Sequence, residues 1–84
     1  MQVKLTKTAK KQLKQLNEPN QSRVITALKG LENDPPDGDI KKLHGRDGYR
    51  LTVGDFRVLY DFVGNDPVII SVFKIGSRGD VYKK

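Results

Sequence analysis

The chain has 84 residues, enough for one small domain with a limited hydrophobic core. It contains no cysteine, which excludes a disulfide framework and a thiolate metal site. No stretch approaches the roughly 20 apolar residues of a membrane span, and no apolar segment follows the N-terminus as in a secretory signal. We therefore expect a cytosolic globular domain. The formal net charge of +6 favours an anionic partner, which is a nucleic acid, an acidic protein or a membrane surface.

The first predicted elements are a short strand at Gln2–Leu5 and an amphipathic helix. The hydroxyl of either Thr6 or Thr8 is suited to cap that helix. Apolar residues at near-helical spacing predict one buried stripe. The stripe consists of Leu5, Ala9, Leu13 and Leu16. The lysines between them form either a solvated face or a basic rim that contacts a nucleic-acid backbone. These lysines are Lys7, Lys10, Lys11 and Lys14.

A second helix is predicted after a break at residues 17–20, where Pro19 suits the first helical turn. Its apolar stripe consists of Val24, Ile25, Leu28 and Leu31. Prolines at positions 35 and 36 end this helix, because proline lacks the amide proton that a helix interior needs. The short connection between the two helices predicts an antiparallel helical hairpin.

Strand patterns dominate from residue 40 onward. Residues 40–43 have only a weak strand pattern, whereas Tyr49–Val53 and residues 56–62 form a β-hairpin around the turn Gly54-Asp55. Residues 68–73 are apolar on both faces, as is typical of a central strand, and we place them between residues 56–62 and the N-terminal strand. The predicted fold is α+β with two layers, in which the helical hairpin packs on a mostly antiparallel four-stranded sheet.

The predicted hairpin sorts its side chains by chemistry. With Gly54-Asp55 as the turn, the pairs Val53–Phe56, Leu51–Val58 and Tyr49–Tyr60 all lie on one face, which the helices must cover. The other face receives Arg50, Thr52 and Arg57 and stays open. Two guanidinium groups on one open face are suited to binding phosphate groups.

The familiar catalytic motifs are missing from the sequence. There is no cysteine, no Walker-type glycine-rich loop and only one histidine, His44, in a turn-like setting that is typical of a surface residue. The aspartates are scattered over turns, so we expect no metal and no cofactor. Arg50, Arg57, Arg78 and Tyr82 remain, and such a set can hold a phosphodiester and stack on a base. The alternative is that these arginines form surface ion pairs with aspartates. The candidate aspartates are Asp55, Asp61 and Asp80.

Two segments carry a resemblance to a known family. Residues 49–60 read Tyr-Arg-Leu-Thr-Val-Gly-Asp-Phe-Arg-Val-Leu-Tyr, and residues 74–82 read Lys-Ile-Gly-Ser-Arg-Gly-Asp-Val-Tyr. With Leu43-His44-Gly45 before the hairpin and two N-terminal helices, the whole chain resembles the RelE/ParE superfamily of toxin–antitoxin toxins, and its RelE branch most. The resemblance implies a RelE-like fold, a RelB-like antitoxin partner, and a ribosome-dependent endonuclease acting on mRNA in the ribosomal A site.

The resemblance also implies roles for individual residues. In the family the 2′-hydroxyl of the RNA attacks the adjacent phosphate. Arg57 and Arg78 match arginines that stabilise that phosphate, and Tyr82 matches a tyrosine that orients a base. These three are the predicted catalytic residues. The predicted substrate-binding residues are Arg50, Thr52, Lys74 and Ser77.

The sequence departs from the family pattern at the positions that supply a proton acceptor. A well-known RelE pattern has lysines where this chain has Arg50 and Thr52, and many relatives carry histidine or lysine in place of Ser77. The general base is therefore unassigned, and strand alternation does not establish that Lys74 reaches the site. Two other functions stay open. One is a ParE-like toxin that poisons DNA gyrase, and the other is a weakly active or inactive relative that retains antitoxin binding.

Overall fold

The structure, a computed structural model, describes residues 1–82. The elements in chain order are β1 Gln2–Leu5, α1 Lys7–Gln15, α2 Asn20–Gly30, β2 Asp39–Lys42, β3 Tyr49–Val53, β4 Phe56–Val63 and β5 Ile69–Ser77. The strands form one sheet in the order β1-β5-β4-β3-β2. The β1–β5 pair is parallel and the other pairs are antiparallel. Neither of the helices in residues 1–82 is long and apolar enough to cross a membrane.

The α+β class and the two-layer arrangement are confirmed, but the predicted strand count is wrong. The sheet has five strands because β2 pairs along β3, from Asp39 opposite Thr52 to Lys42 opposite Tyr49. This strand lies at the sheet edge, and Ile40 is its one residue that is not fully exposed. Edge strands need little apolar content, which is why the sequence pattern of β2 is weak.

One side-chain hydrogen bond caps α1 and another joins this helix to β5. The Thr6 hydroxyl caps the helix by accepting from the Ala9 amide at 3.2 Å, whereas Thr8 lies within the first turn. Further along the helix, Gln12 Oε1 accepts from the Ile75 amide at 2.7 Å. That amide lies beyond the last residue of β1, so the glutamine supplies the acceptor that a longer neighbouring strand would have provided.

Helix α2 buries a narrower stripe than the sequence predicts. Val24 and Leu28 are buried in the helix and Leu31 is buried just after it, but Ile25 is 38% exposed. The buried three are spaced by four and three residues and lie on one face. Ile25 follows Val24 by about 100° around the axis and so points away from the sheet.

The predicted hairpin register is confirmed at each pair, including Thr52 opposite Arg57. The helices cover its apolar side, as expected, and the core there consists of Ala9, Val24, Leu28, Leu31, Leu51, Val58, Tyr60, Ile70, Val72 and Ile75. Burial raises the pKa of the Tyr60 hydroxyl, and the neighbouring Tyr49 raises it further. The opposite side of the sheet is left uncovered by the helices.

A β-bulge changes the alternation of side chains along β5. Leu59 pairs with Lys74, but Tyr60, the next residue of β4, pairs with Val72. Phe73 is therefore an extra residue without a partner on β4. Because side chains alternate with a period of two, this extra residue brings Lys74 to the same face as Leu59. Strand β5 is central, as predicted, and runs past residue 73 to Ser77.

Candidate nucleic-acid interface

A cavity of about 430 Å³ lies on the uncovered face of the sheet. Its lining residues come from β2, the β2–β3 loop, β3, β4, β5 and the segment after β5. They are Lys42, Leu43, His44, Arg46, Arg50, Leu59, Lys74, Val81 and Tyr82. We refer to this site as the basic cavity. Its apolar part includes Leu59 and Val81, which are 3% and 1% exposed.

The segment after β5 closes one side of the basic cavity. The Val81 amide donates to the Ser77 carbonyl at 2.9 Å, so the chain turns back at once after the strand. The returning segment packs on the backbone of β5 at Gly76, where a Cβ atom would lie in ordinary contact, 3.5 Å from the Val81 Cα. Burial of Val81 then places Tyr82 beside β3, where its hydroxyl accepts from Arg50 Nη1 at 3.4 Å.

The charged side chains of the cavity lining are all basic, and His44 lies among them. The lining includes Lys42, His44, Arg46, Arg50 and Lys74, and in the part of the chain that the structure describes no aspartate or glutamate is among the lining residues. The Nε of Arg50 is buried and has no hydrogen-bond partner among residues 1–82. A buried guanidinium donor without an acceptor is costly unless a ligand supplies one. The basic cavity therefore has the properties of an anion-binding site.

Arg57 lies on the open face, as predicted, but outside the basic cavity. Its Nη1 donates to the main-chain carbonyls of Gly54 and Phe56, both at 2.9 Å. Its guanidinium is therefore held over the hairpin turn by backbone oxygens. Thr52, directly opposite Arg57, is half-buried on the same side.

The two predicted site residues at the end of β5 separate from each other. The Arg78 side chain is exposed, and its amide donates to the Asp55 carbonyl at 2.8 Å, which places it near the hairpin turn. Ser77 pairs with Phe56 on the helix-covered side, and its hydroxyl donates to Asp80 Oδ2 at 3.0 Å. The structure thus brings together Arg50, Lys74 and Tyr82 in the basic cavity. It places Arg57, Thr52 and Arg78 around the hairpin turn, and Ser77 on the other face.

The end of β2 and the loop between β2 and β3 supply the functional candidates that sequence reasoning missed. Lys42 and Arg46 line the basic cavity, and so does His44, which the sequence pattern assigned to the surface. The Leu43 amide donates to the Gly48 carbonyl at 3.0 Å and closes this loop at its base. A cluster of basic residues directly before an arginine-bearing hairpin was the available signal.

Comparisons with known proteins identify the family of this chain. A family model described as ParE toxin of type II toxin-antitoxin system, parDE, matches residues 3–82. The curated protein "Putative toxin RelE1" of Methanocaldococcus jannaschii is 35% identical, with 96% of this chain and 93% of that protein covered.

Two solved structures share the fold. The archaeal RelE–RelB complex from Pyrococcus horikoshii OT3 matches with a TM-score of 0.75 and 32% identity over 94% of this chain and 96% of that one. The RelB–RelE antitoxin–toxin complex from Methanococcus jannaschii matches with a TM-score of 0.71 and 26% identity, covering 93% of each chain. The chain belongs to the RelE/ParE superfamily and is a RelE-like toxin of a type II toxin–antitoxin system.

Proposed function

We propose that this toxin is a ribosome-dependent endoribonuclease that cleaves mRNA in the ribosomal A site without a metal ion. The observation that supports it is the basic cavity, with several cations, no lining carboxylate among the described residues and the unpaired Nε of Arg50. A phosphodiester brings the negative charge that such a cavity lacks. In the pentacoordinate transition state the phosphate gains further negative charge, which fixed cations stabilise more than they stabilise the substrate.

The proposed reaction uses the nucleophile that RNA carries. The 2′-oxygen forms a bond to the adjacent phosphorus, and the bond from phosphorus to the 5′-oxygen breaks, leaving a 2′,3′-cyclic phosphate and a 5′-hydroxyl. Arg50 and Lys74 bind the reacting phosphate, and the half-exposed ring of Tyr82 stacks on a base. Arg57 and Arg78, which lie around the hairpin turn, contact a phosphate of the RNA that flanks the one in the cavity.

The partner that neutralises the toxin is proposed to be a RelB-like antitoxin. The two structural relatives were solved as complexes of RelE with RelB. This chain carries a net charge of +6, so a segment with acidic side chains is electrostatically suited to bind it.

Primer extension on mRNA with purified ribosomes tests the proposed function. The wild-type toxin is expected to produce cuts at fixed codon positions, and Arg50→Met and Arg78→Ala are each expected to lower the cleavage rate by about 10²-fold or more. Arg23→Met is the matched control, because Arg23 is exposed on α2 in the other layer. Loss of Arg50 is not expected to reduce stability, since the Nε that it buries has no partner.

The family model carries the name of ParE toxins, so a second assay accompanies the first. DNA cleavage by gyrase is measured with the same protein. Gyrase-dependent DNA breaks without codon-positioned RNA cuts would overturn the endoribonuclease proposal and support a ParE-like activity. RNA cuts that remain in the Arg50→Met variant would show that the basic cavity is not the reaction site.

A further inference from the structure

Attack by a 2′-hydroxyl requires a group that accepts its proton, and most of the basic cavity cannot do so. Lysine and arginine side chains are ordinarily protonated at neutral pH and act as donors. Four of the lining residues are of these types: Lys42, Arg46, Arg50 and Lys74. No carboxylate lines the cavity within residues 1–82. Histidine is the side chain type that is ordinarily able to accept a proton in this pH range, and His44 is the one histidine of the chain.

The loop that carries His44 is held at two points, its base and its middle. Its base is closed by the hydrogen bond from the Leu43 amide to the Gly48 carbonyl at 3.0 Å. Its middle is held by Arg46, whose guanidinium carbon lies 4.8 Å from the centroid of the Phe73 ring. His44 lies between two residues, Leu43 and Arg46, that also line the basic cavity. The His44 side chain is exposed, so its proton can exchange with solvent.

We propose that His44 is the general base of this toxin, an inference that rests on the proposed endoribonuclease function. As the 2′-oxygen bonds to phosphorus and the bond to the 5′-oxygen breaks, the proton of the 2′-hydroxyl passes to the neutral imidazole. The departing 5′-oxygen takes a proton from water. The hydroxide that remains takes the proton of the imidazolium, which returns His44 to its starting state.

The charged and titratable groups that line the cavity with His44 come from all of its surrounding elements except β4, which contributes Leu59. They are Lys42 from β2, Arg46 from the same loop, Arg50 from β3, Lys74 from β5 and Tyr82 from the segment after β5. Lysine, arginine and tyrosine side chains ordinarily titrate at about pH 10 or above. The pH dependence of cleavage therefore tests the imidazole as the proton acceptor, because His44→Gln removes that group alone.

Single-turnover cleavage of ribosome-bound mRNA from neutral pH down to about 5 tests the inference. The wild-type rate is expected to fall at acidic pH. His44→Gln is expected to be slower by about 10²-fold or more at neutral pH and to lack the acidic decline. His44→Arg places a basic side chain that cannot accept the proton at this position, and it is expected to be equally slow. Added imidazole is expected to raise the cleavage rate of His44→Ala at least tenfold.

Binding of a non-cleavable mRNA with a 2′-O-methyl group at the cleavage position separates chemistry from affinity. His44→Gln is expected to bind it within about threefold of wild type, since a lost proton acceptor affects the reaction step. The assignment of His44 would be overturned if the wild type cleaves mRNA and His44→Arg cleaves it as fast, with the same pH profile. The endoribonuclease function would then remain intact. A wild-type protein that cuts no ribosome-bound mRNA would overturn both.

Discussion

Replacement of Gly48 by alanine tests how the loop that frames the basic cavity is built. Gly48 is buried with a φ of +122°, a conformation that residues with a side chain rarely adopt. A Cβ atom there would lie 3.0 Å from the Tyr60 carbonyl oxygen and 3.1 Å from Leu43 Cδ1. The Tyr60 carbonyl belongs to the central strand β4 and cannot move without disturbing the sheet.

The expected cost combines two effects. Backbone strain at such a φ costs roughly 1–3 kcal/mol, and an overpacked side chain costs about 1–3 kcal/mol more. The sum, roughly 2–6 kcal/mol, is a large part of the 5–15 kcal/mol by which domains are ordinarily stable. For a domain of this size it lowers the Tm by about 8–48 °C.

Thermal and urea unfolding followed by circular dichroism measure this effect, and Gly45→Ala is the matched control. Gly45 lies in the same loop with a φ of +73°, but no atom lies within 4 Å of the position of its Cβ. The control therefore carries backbone strain alone, about 1–2 kcal/mol. If Gly48→Ala is no less stable than Gly45→Ala, the close approach of Gly48 to β4 does not determine the stability of this loop.

Three further predictions concern the fold. Thr6→Ala is expected to cost about 1 kcal/mol of unfolding free energy through the lost cap, and Thr8→Ala almost nothing; equal effects in urea unfolding would contradict this assignment. Ile70→Ala, at a fully buried site, is expected to cost about 2–5 kcal/mol, and Ile25→Ala less than about 1 kcal/mol. The folded-state pKa of Tyr60 is raised, so its contribution to the free energy of unfolding is complete below the ordinary tyrosine pKa of about 10 and is lost as the pH rises further. Tyr60→Phe is expected to remove this pH-dependent loss. Parallel stability curves for the two proteins between pH 8 and 11 would contradict this reasoning.

The hairpin could be predicted from sequence because two independent signals agree on its register. The turn at Gly54-Asp55 sets the pairing, and alternation of apolar and polar residues assigns the faces. The exposure of Ile25 could not be predicted. The sequence shows four apolar residues on the helix, but it does not show how wide a stripe of the helix the sheet covers. The edge strand β2 was indicated only weakly by residues 40–43 and was left out of the predicted four-stranded sheet, because its burial is slight.

The candidate site was only partly predictable. Strand alternation predicted that Arg50 and Arg57 share a face, and the structure agrees, but it also separates them. Backbone carbonyls at the turn bind the Arg57 guanidinium, while the Arg50 guanidinium lies in the cavity. Inclusion of His44 and Arg46 depends on a loop folding back over the sheet, for which no periodic pattern exists in sequence.

The bulge at Phe73 has a consequence for how this surface can be lost. Before it, the alternation of β5 turns Val72 toward the helices, and after it Ile75 takes the core position while Lys74 faces the cavity. Without Phe73, the residues Val72, Lys74 and Ile75 would follow one another and keep their present partners on β4, so Lys74 would still face the cavity. Regular pairing of Phe73 would instead turn Lys74 toward the helices, so a shift in register can remove the cationic surface without altering any side chain that forms it.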